Sequence, residues 1–238
     1  MRYLGGKSKI AARLADVISP SLRARGGRLV EPFVGGFNIV PALYSDITEA
    51  LCSDTHAGVI GLYQAMQTGW LPPQNLSQAE YVSLRNDTSA DIPLRTFAAF
   101  ACSFGGKEWG GYARDKEGLR NFAAEQARFL SRKAEYMDKC KFSVADFASL
   151  HPVDSAVYCD PPYANTTGYK STGLFSHEQF FEWCEDAATN NDVFVSEFTI
   201  PDRECRWDVV LEIPRKSSVR RADGVPVTEY LLKVACRS

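Results

Sequence analysis

Short runs of apolar and β-branched residues recur along the chain, and amphipathic segments separate several of them. The runs predict β-strands at residues 28–33, 50–54, 141–145, 156–159, 192–198, 207–213 and 229–235. The amphipathic segments predict helices at residues 7–18, 55–66 and 176–190, the last of them opening with Ser176 as its N-cap. Nearly continuous apolar strands that alternate with helices are typical of α/β proteins with a mostly parallel sheet.

One stretch, residues 63–140, departs from this alternation. It is helix-rich, with helices predicted at residues 78–85, 93–102 and 119–137. It also contains a glycine-rich segment with several aromatic residues at 103–112, called the aromatic loop below. We therefore predict that residues 63–140 are inserted into an α/β core formed by residues 1–62 and 141–238. The connection at 214–226 is too short for a helical crossover, which predicts that the last two strands form an antiparallel hairpin at the sheet edge.

Composition places the chain among globular proteins. Its 238 residues are 45% hydrophobic and 24% charged, enough to bury one core, which excludes a disordered or fibrous protein. No apolar run approaches the roughly 20 residues of a membrane span, and the N-terminus lacks the apolar stretch of a signal peptide. The seven cysteines are scattered and form no Cys-x-x-Cys pair, which indicates free thiols rather than disulfides or zinc ligands. We expect a soluble, cytoplasmic protein without a metal or a membrane partner.

The net charge of −2 means that a polyanionic partner must meet a local basic patch. One candidate patch lies between the last two strands and consists of Arg215, Lys216, Arg220 and Arg221. A second lies on and beside the aromatic loop and consists of Lys107, Trp109, Tyr112, Arg114, Lys116 and Arg120. Basic side chains can fix the register of phosphates, and an aromatic side chain can enter a groove or fill the gap left by a flipped base. A solvated charged face is the alternative for both patches.

Three predicted strands end in features typical of a nucleotide site. A glycine turn at residues 35–36 follows the first, where backbone can approach a ligand closely. Asp54 ends the second, where a carboxylate can accept hydrogen bonds from the hydroxyls of a ribose. The segment Asp160-Pro161-Pro162-Tyr163 follows the fourth and is more specific than the other two. Its prolines stiffen a loop that presents a carboxylate, carbonyl groups and an aromatic face, a set suited to a planar base with an exocyclic amine.

Four segments together resemble the motifs of a known family. These are Tyr3-Leu4-Gly5-Gly6-Lys7, Glu31-Pro32-Phe33-Val34-Gly35, Asp54 and Asp160-Pro161-Pro162-Tyr163, and their order is that of the Dam-like N6-adenine DNA methyltransferases. The resemblance implies a Rossmann-like methyltransferase sheet, mostly parallel with one antiparallel edge strand, and a helical target-recognition insertion. It further implies transfer of a methyl group from S-adenosylmethionine to N6 of an adenine flipped out of double-stranded DNA.

The resemblance also assigns roles to single residues. Those expected to act on the target base are Asp160, Pro161, Pro162 and Tyr163. Those expected to line the cofactor pocket are Tyr3, Lys7, Glu31, Pro32, Phe33, Gly35, Asp54, Asp146 and Asp160. Within this set Asp54 is expected to hold the ribose, and Asp146 to lie beside the adenine ring of the cofactor.

The glycine turn departs from the family pattern. It usually continues with a third small residue, but here Phe37 follows Gly35 and Gly36. A phenylalanine at this position is expected to crowd the cofactor or to re-aim the turn. This departure leaves open a DNA-binding homologue with weakened cofactor binding. An RNA base methyltransferase of the same fold also stays open, because the Asp-Pro-Pro-Tyr segment would recognise any flipped amine. Nothing in the sequence indicates an obligate interface, and we expect a monomer.

Overall fold

A computed structural model describes residues 1–162, 175–214 and 228–235, and within them the chain forms a seven-stranded sheet. Its strands are β1 (Arg28–Glu31), β2 (Glu49–Asp54), β3 (Cys140–Val144), β4 (Ala156–Cys159), β5 (Asp192–Glu197), β6 (Arg206–Pro214) and β7 (Thr228–Ala235). Their order is β3-β2-β1-β4-β5-β7-β6. The first five strands are parallel, whereas β7 runs antiparallel to both β5 and β6. The predicted Rossmann-like methyltransferase sheet is confirmed, and the β6–β7 hairpin forms one edge of it.

Helices flank the sheet, and short helical turns connect some of its parts. The α-helices are α1 (Ala11–Ala24), α2 (Ile39–Leu43), α3 (Ala57–Gln67), α4 (Gln78–Asn86), α5 (Ile92–Thr96), α6 (Phe122–Ala134) and α7 (His177–Ala187). A π-helical turn at Phe97–Ala101 continues α5, and 3-10 turns lie at Phe104–Gly106 and Phe147–Ser149.

The first helix differs from its prediction at both ends. It begins at Ala11, four residues late, because the chain before it forms turns that carry Lys7 toward the strand ends. It also continues through Pro20 to Ala24, since this extension buries Leu22 completely. Helix α2 is only five residues long and carries too few turns for an amphipathic period, so the sequence analysis did not predict it.

The two faces of the sheet each carry a hydrophobic core. Successive residues of a strand point to opposite faces, and in β4 Tyr158 joins one cluster while its neighbour Val157 joins the other. The larger cluster includes residues of α1, α2, α3, α6 and the π-helical turn. The smaller one lies under α7 and is rich in aromatic side chains such as Phe147 and Phe180.

Residues between α3 and β3 are helical, as predicted, and they pack into the larger core. Phe97 and Phe100 of the π-helical turn and Leu130 of α6 are fully buried in the same cluster as Leu14 of α1. The predicted boundary after residue 62 falls inside α3. The division of the chain into a catalytic domain and an inserted subdomain stays a prediction.

Two further properties concern the described part of the chain as a whole. No helix there combines the length and apolar character needed to cross a membrane. The same residues contain no group of three or more His, Cys, Asp or Glu side chains arranged to hold a metal ion.

Candidate active site

The topology brings the strand-end motifs to one edge of the sheet. Strands β2, β1 and β4 are adjacent and parallel, so their carboxyl ends lie side by side. Asp54 ends β2, the glycine turn follows β1, and Asp160 directly follows β4. In open α/β sheets, ligands bind in the crevice outside the carboxyl ends of the strands.

The N-terminal segment reaches this edge through Lys7. Its Nζ atom donates to Oδ1 of Asp160 at 2.6 Å and lies 3.5 Å from Oε1 of Glu229 on β7. The lysine side chain is 2% exposed and that of Glu229 is fully buried. A buried ammonium group between two carboxylates therefore fixes the position of Asp160. The sequence analysis missed Glu229, although a glutamate near the start of a mostly apolar strand was a signal for it.

Glu31, at the end of β1, supplies a buried acceptor beside the glycine turn. Its Oε2 atom has no hydrogen-bond partner among the described residues. Burial raises the pKa of this carboxyl well above its usual range, and the nearby Cys140 and Asp160 raise it further. A buried polar atom without a partner carries a desolvation cost, so the site has an acceptor that a bound donor group could satisfy.

Asp54 is tied to the glycine turn by its carboxylate. Oδ2 accepts from the backbone N–H of Gly35 at 3.0 Å, and Oδ1 accepts from that of His56 at 2.9 Å. Burial raises the pKa of Asp54, while these two hydrogen bonds oppose the shift. Each carboxylate oxygen can accept more than one hydrogen bond, so the group can hold the turn and still accept from a ligand.

The turn itself is held in a compact geometry. Gly35 has a φ of +39°, and a Cβ atom there would lie 3.0 Å from the ring of Tyr3. Its carbonyl oxygen accepts from the hydroxyl of Tyr63 at 2.7 Å. The Tyr3 ring in turn stacks on Phe100, with 5.1 Å between ring centroids. The absence of a side chain at Gly35 thus lets the N-terminal motif lie directly against the turn.

Phe37 does not line the site, which corrects the expectation that its ring crowds the cofactor. Its backbone adopts the left-handed region, with φ of +52°, and its side chain is fully buried in the larger core. The ring packs against Tyr63 and Phe142, at 5.4 and 5.6 Å between centroids. The left-handed backbone at residue 37 turns the side chain inward, and the core provides the space for it.

The remaining predicted cofactor residues lie close to the strand ends. Pro32 is buried, and the ring of Phe33 packs with Phe147 and Phe180 in the smaller core. Asp146 follows β3, and its Oδ1 atom accepts from the backbone N–H of Ala148 at 2.9 Å, which caps a 3-10 turn. Each of these residues lies where the family resemblance places a residue of the cofactor pocket. Each also has a role in the packing or capping of the fold.

Only part of the predicted catalytic segment Asp160-Pro161-Pro162-Tyr163 lies within the described residues. Pro161 is buried, Pro162 is half-buried, and Tyr163 lies outside the described residues. His177, the first residue of α7, has its Nε2 atom 3.0 Å from the carbonyl oxygen of Pro162. The sequence analysis assigned no role to His177, because a single histidine at a helix start carries no distinctive pattern.

The predicted DNA-contacting residues on and beside the aromatic loop differ in their exposure. The predicted DNA contacts Lys107, Arg114 and Lys116 are exposed. Trp109 instead packs against the ring of Tyr81 at 5.2 Å, and Tyr112 donates its hydroxyl to the carbonyl of Leu76 at 2.6 Å. Arg120, another residue of this predicted patch, donates to both carboxylate oxygens of Glu125. The predicted contacts Arg215, Lys216, Arg220 and Arg221 lie outside the described residues.

The exposed aromatic side chain of this loop is Phe104, which the sequence analysis did not single out. It is 72% exposed, at the start of the 3-10 turn Phe104–Gly106. The loop is closed beneath it by a hydrogen bond from its own backbone N–H to the carbonyl of Gly111 at 2.8 Å. An exposed ring on a closed turn can meet a ligand without disturbing the core.

The sheet order and the motifs at its strand ends define a Rossmann-like methyltransferase. Residues 3–90 match the family described as D12 class N6 adenine-specific DNA methyltransferase. Two curated proteins named DNA adenine methylase, from two strains of Vibrio cholerae serotype O1, are 26% identical to this chain, with 75% of it and 72% of their own length covered. The chain is thus similar to the D12 class N6 adenine-specific DNA methyltransferases, and the resemblance of its motifs is confirmed.

Solved structures to which the chain is similar include two other methyltransferases. One is described as the putative methyltransferase yhhF from Escherichia coli, with a TM-score of 0.45 and 11% identity over 96% of this chain and 86% of that chain. Another is the 23S rRNA methyltransferase ErmE, with a TM-score of 0.47 and 12% identity over 99% of this chain and 70% of that chain.

Proposed function

We propose that this protein is a DNA adenine methyltransferase that transfers a methyl group from S-adenosylmethionine to N6 of an adenine in double-stranded DNA. The family match supports the activity and the substrate. The observation that carries the assignment of the site is the 2.6 Å contact between Lys7 and Asp160. It joins the N-terminal motif to the Asp-Pro-Pro segment at the carboxyl ends of β1 and β4, so that both sets of residues lie at one edge of the sheet.

The residues at the strand ends fit the chemistry of this cofactor. S-adenosylmethionine supplies a methyl group on a positively charged sulfonium centre, and it also carries an ammonium group and two ribose hydroxyls. Asp54 has acceptor capacity for the hydroxyls, and the unpartnered Oε2 atom of Glu31 is an acceptor for a charged donor. The inward-facing ring of Phe37 leaves the glycine turn open to a ligand. This arrangement argues against a homologue with weakened cofactor binding.

Asp160 and its neighbours are proposed to hold the target amine. An adenine stacked in duplex DNA cannot reach the cofactor, so the base must flip out at a cost of a few kcal/mol. The Asp160 carboxylate and the Pro161 carbonyl would accept from its exocyclic amine, and Tyr163 would stack on its ring. The acceptors become more effective as positive charge develops on the nitrogen, while Lys7 keeps the carboxylate in position.

DNA is proposed to lie across the aromatic loop and the loop between β6 and β7. The exposed Lys107, Arg114 and Lys116 would contact phosphates, as would the predicted basic residues of the second loop. We assign to Phe104 the groove or base contact that the sequence analysis gave to Trp109, because within the aromatic loop the ring of Phe104 is exposed and that of Trp109 is packed. We further propose that the protein acts as a monomer in the cytoplasm, which light scattering and cell fractionation would test.

Nucleoside mass spectrometry on DNA and RNA from methylation-deficient cells that express this chain would test the activity. We expect N6-methyladenine in DNA, and none in cells that express Asp160→Ala at the same level. Circular dichroism on both purified proteins would show whether the variant folds. A new methylated base in RNA alone would favour the RNA methyltransferase alternative. If neither DNA nor RNA gains a methylated base in cells that express the unaltered protein, the proposal is contradicted.

A further inference from the structure

The aromatic loop contacts both walls of the proposed cofactor pocket. On one side the backbone N–H of Leu4 donates to the carbonyl of Gly106 at 3.0 Å. On the other side the Nε2 atom of His56 lies 3.2 Å from Oε1 of Glu108. The loop residues in these contacts lie within four positions of Phe104, the exposed ring. A loop proposed to meet DNA is thus attached to the segments proposed to hold the cofactor.

The first of these contacts, between Leu4 and Gly106, leaves no room for a side chain at Gly106. Gly106 has a φ of +70°, and a Cβ atom there would lie 2.8 Å from the backbone nitrogen of Tyr3. The Tyr3 ring packs on Phe100 and lies against Gly35 of the glycine turn. A displacement of the loop would therefore press directly on the N-terminal motif.

The second contact, between His56 and Glu108, is linked to the glycine turn by hydrogen bonds. The backbone N–H of His56 donates to Oδ1 of Asp54 at 2.9 Å, and Oδ2 of Asp54 accepts from Gly35 at 3.0 Å. The His56 ring also caps α3, since its Nδ1 atom accepts from the backbone N–H of Val59 at 3.2 Å. With Nδ1 an acceptor, the ring's Nε2–H is the donor to Glu108. The orientation of His56 is therefore set from both sides.

We propose that His56 and Glu108 are positioning residues that couple the DNA-contacting loop to the cofactor pocket, so that DNA and the methyl donor strengthen each other's binding. The inference rests on the proposed function, and it names a link within that same site. A loop conformation that DNA selects would hold His56, and through it Asp54, in the orientation that accepts from the ribose. Thermodynamic linkage makes the effect reciprocal: bound cofactor would raise the affinity for DNA by the same factor.

The experiment measures the affinity for S-adenosylhomocysteine, which cannot react, by calorimetry with and without sheared duplex DNA from methylation-deficient cells. The ratio of the two dissociation constants is the coupling factor. For the unaltered protein we expect a factor of at least about 5, the lower end of typical allosteric coupling. His56→Asn keeps a side-chain acceptor for the cap of α3 but is too short to reach Glu108. We expect a coupling factor near 1 in this variant and in Glu108→Ala.

Three further variants separate coupling from general damage. The double variant His56→Asn/Glu108→Ala should equal the single ones, because both remove the same contact. Glu108→Gln keeps an acceptor oxygen and should retain most of the coupling. Glu117→Ala removes an exposed glutamate outside the aromatic loop and should leave the factor unchanged.

The outcomes distinguish this inference from the proposed function. Three results would overturn the coupling while cofactor binding persists. The unaltered protein and His56→Asn could have equal coupling factors, the unaltered protein could have a factor of 1, or the effects of the two substitutions could add in the double variant. Failure of the unaltered protein to bind S-adenosylhomocysteine at all would overturn the proposed function and the coupling with it.

Discussion

The Nζ atom of Lys7 and the Oδ1 atom of Asp160 are 2.6 Å apart although 153 residues separate them in the sequence. Glu229, on the last strand, has its Oε1 atom 3.5 Å from the same ammonium group. The N-terminal motif, the loop after β4 and the hairpin that completes the sheet therefore meet at one buried charge. This contact makes the geometry of the Asp-Pro-Pro segment dependent on the fold of the whole chain.

Replacement of Lys7 by methionine should affect both stability and turnover. The change removes an ammonium group from between two carboxylates, and breaking a buried ion pair in this way costs about 3–5 kcal/mol of unfolding free energy. Methyl transfer should fall by about 100-fold or more, because Asp160 loses the group that positions it. Chemical denaturation and single-turnover methylation would measure the two effects. The double variant Lys7→Met/Glu229→Gln should regain stability but not activity, and normal turnover in either variant would contradict the assignment of Lys7.

Phe104 and Trp109 should respond to alanine substitution in opposite ways. Phe104→Ala removes an exposed ring, so the unfolding free energy should change by less than about 0.5 kcal/mol. Its affinity for duplex DNA should fall, because stacking of an aromatic side chain on a base contributes about 1–3 kcal/mol. Trp109→Ala should instead destabilise the protein by about 2 kcal/mol or more, since its ring packs on Tyr81. Denaturation and equilibrium DNA binding compare the two variants, and unchanged DNA affinity in Phe104→Ala would exclude a contact by its ring.

Phe37→Ala should lower stability without improving cofactor binding. Its ring is fully buried against Tyr63 and Phe142, and large-to-small changes of this kind cost about 3–5 kcal/mol. The affinity for S-adenosylmethionine should stay the same or weaken as the turn loosens. Isothermal titration on the folded variant is the measurement. A tenfold tighter affinity would mean that the ring restricts the pocket after all.

Lys133 of α6 should give the protein a distinctive dependence on alkaline pH. Its Nζ atom donates to the carbonyl of Gly36 at 2.7 Å and to Oδ1 of Asn38 at 2.8 Å, and burial lowers its pKa to about 8. An unfolded lysine has a pKa of about 10.4, so between these values the unfolded chain binds more protons than the folded one. The contribution of this group to stability is therefore lowest below pH 8 and rises as the pH increases through that window.

Unfolding free energies of the unaltered protein and Lys133→Met, measured from pH 7 to 10, would isolate this contribution. The difference between the two should shift in favour of the unaltered protein as the pH rises, because only that protein carries the Lys133 amine. Lys139→Met is a matched control, since this lysine also donates to backbone carbonyl oxygens, those of Tyr44 and Ile47. Parallel pH profiles for the unaltered protein and Lys133→Met would rule out the lowered pKa.

Strand positions could be predicted from the sequence because burial on both faces of the sheet leaves a continuous apolar run. Strand β4 begins and ends as predicted, and β5 differs from its prediction by one residue. The antiparallel hairpin followed from the short connection between its strands, and it is confirmed. Helix α1 was displaced because a tertiary contact of Lys7 competes with the local helical pattern.

The directions of the aromatic side chains could not be predicted in the same way. Phe37, Phe104 and Trp109 all lie in glycine-rich segments with no periodicity to say which face is buried. Phe37 and Trp109 both adopt positive φ, and this backbone geometry turns their rings toward the core. The exposed ring is therefore the one at position 104, which no pattern in the sequence distinguished.

By itself the sequence determined the class of fold, the order of the motifs and the resemblance to a known family, since these depend on local composition, spacing and residue identity. Only the tertiary structure decided which groups meet. The buried charge cluster of Lys7, Asp160 and Glu229, and the contact between His56 and Glu108, join segments far apart in the chain. Such contacts arise from the strand order and from the attachment of the aromatic loop to the N-terminal segment. They are properties of the assembled core that no single segment encodes.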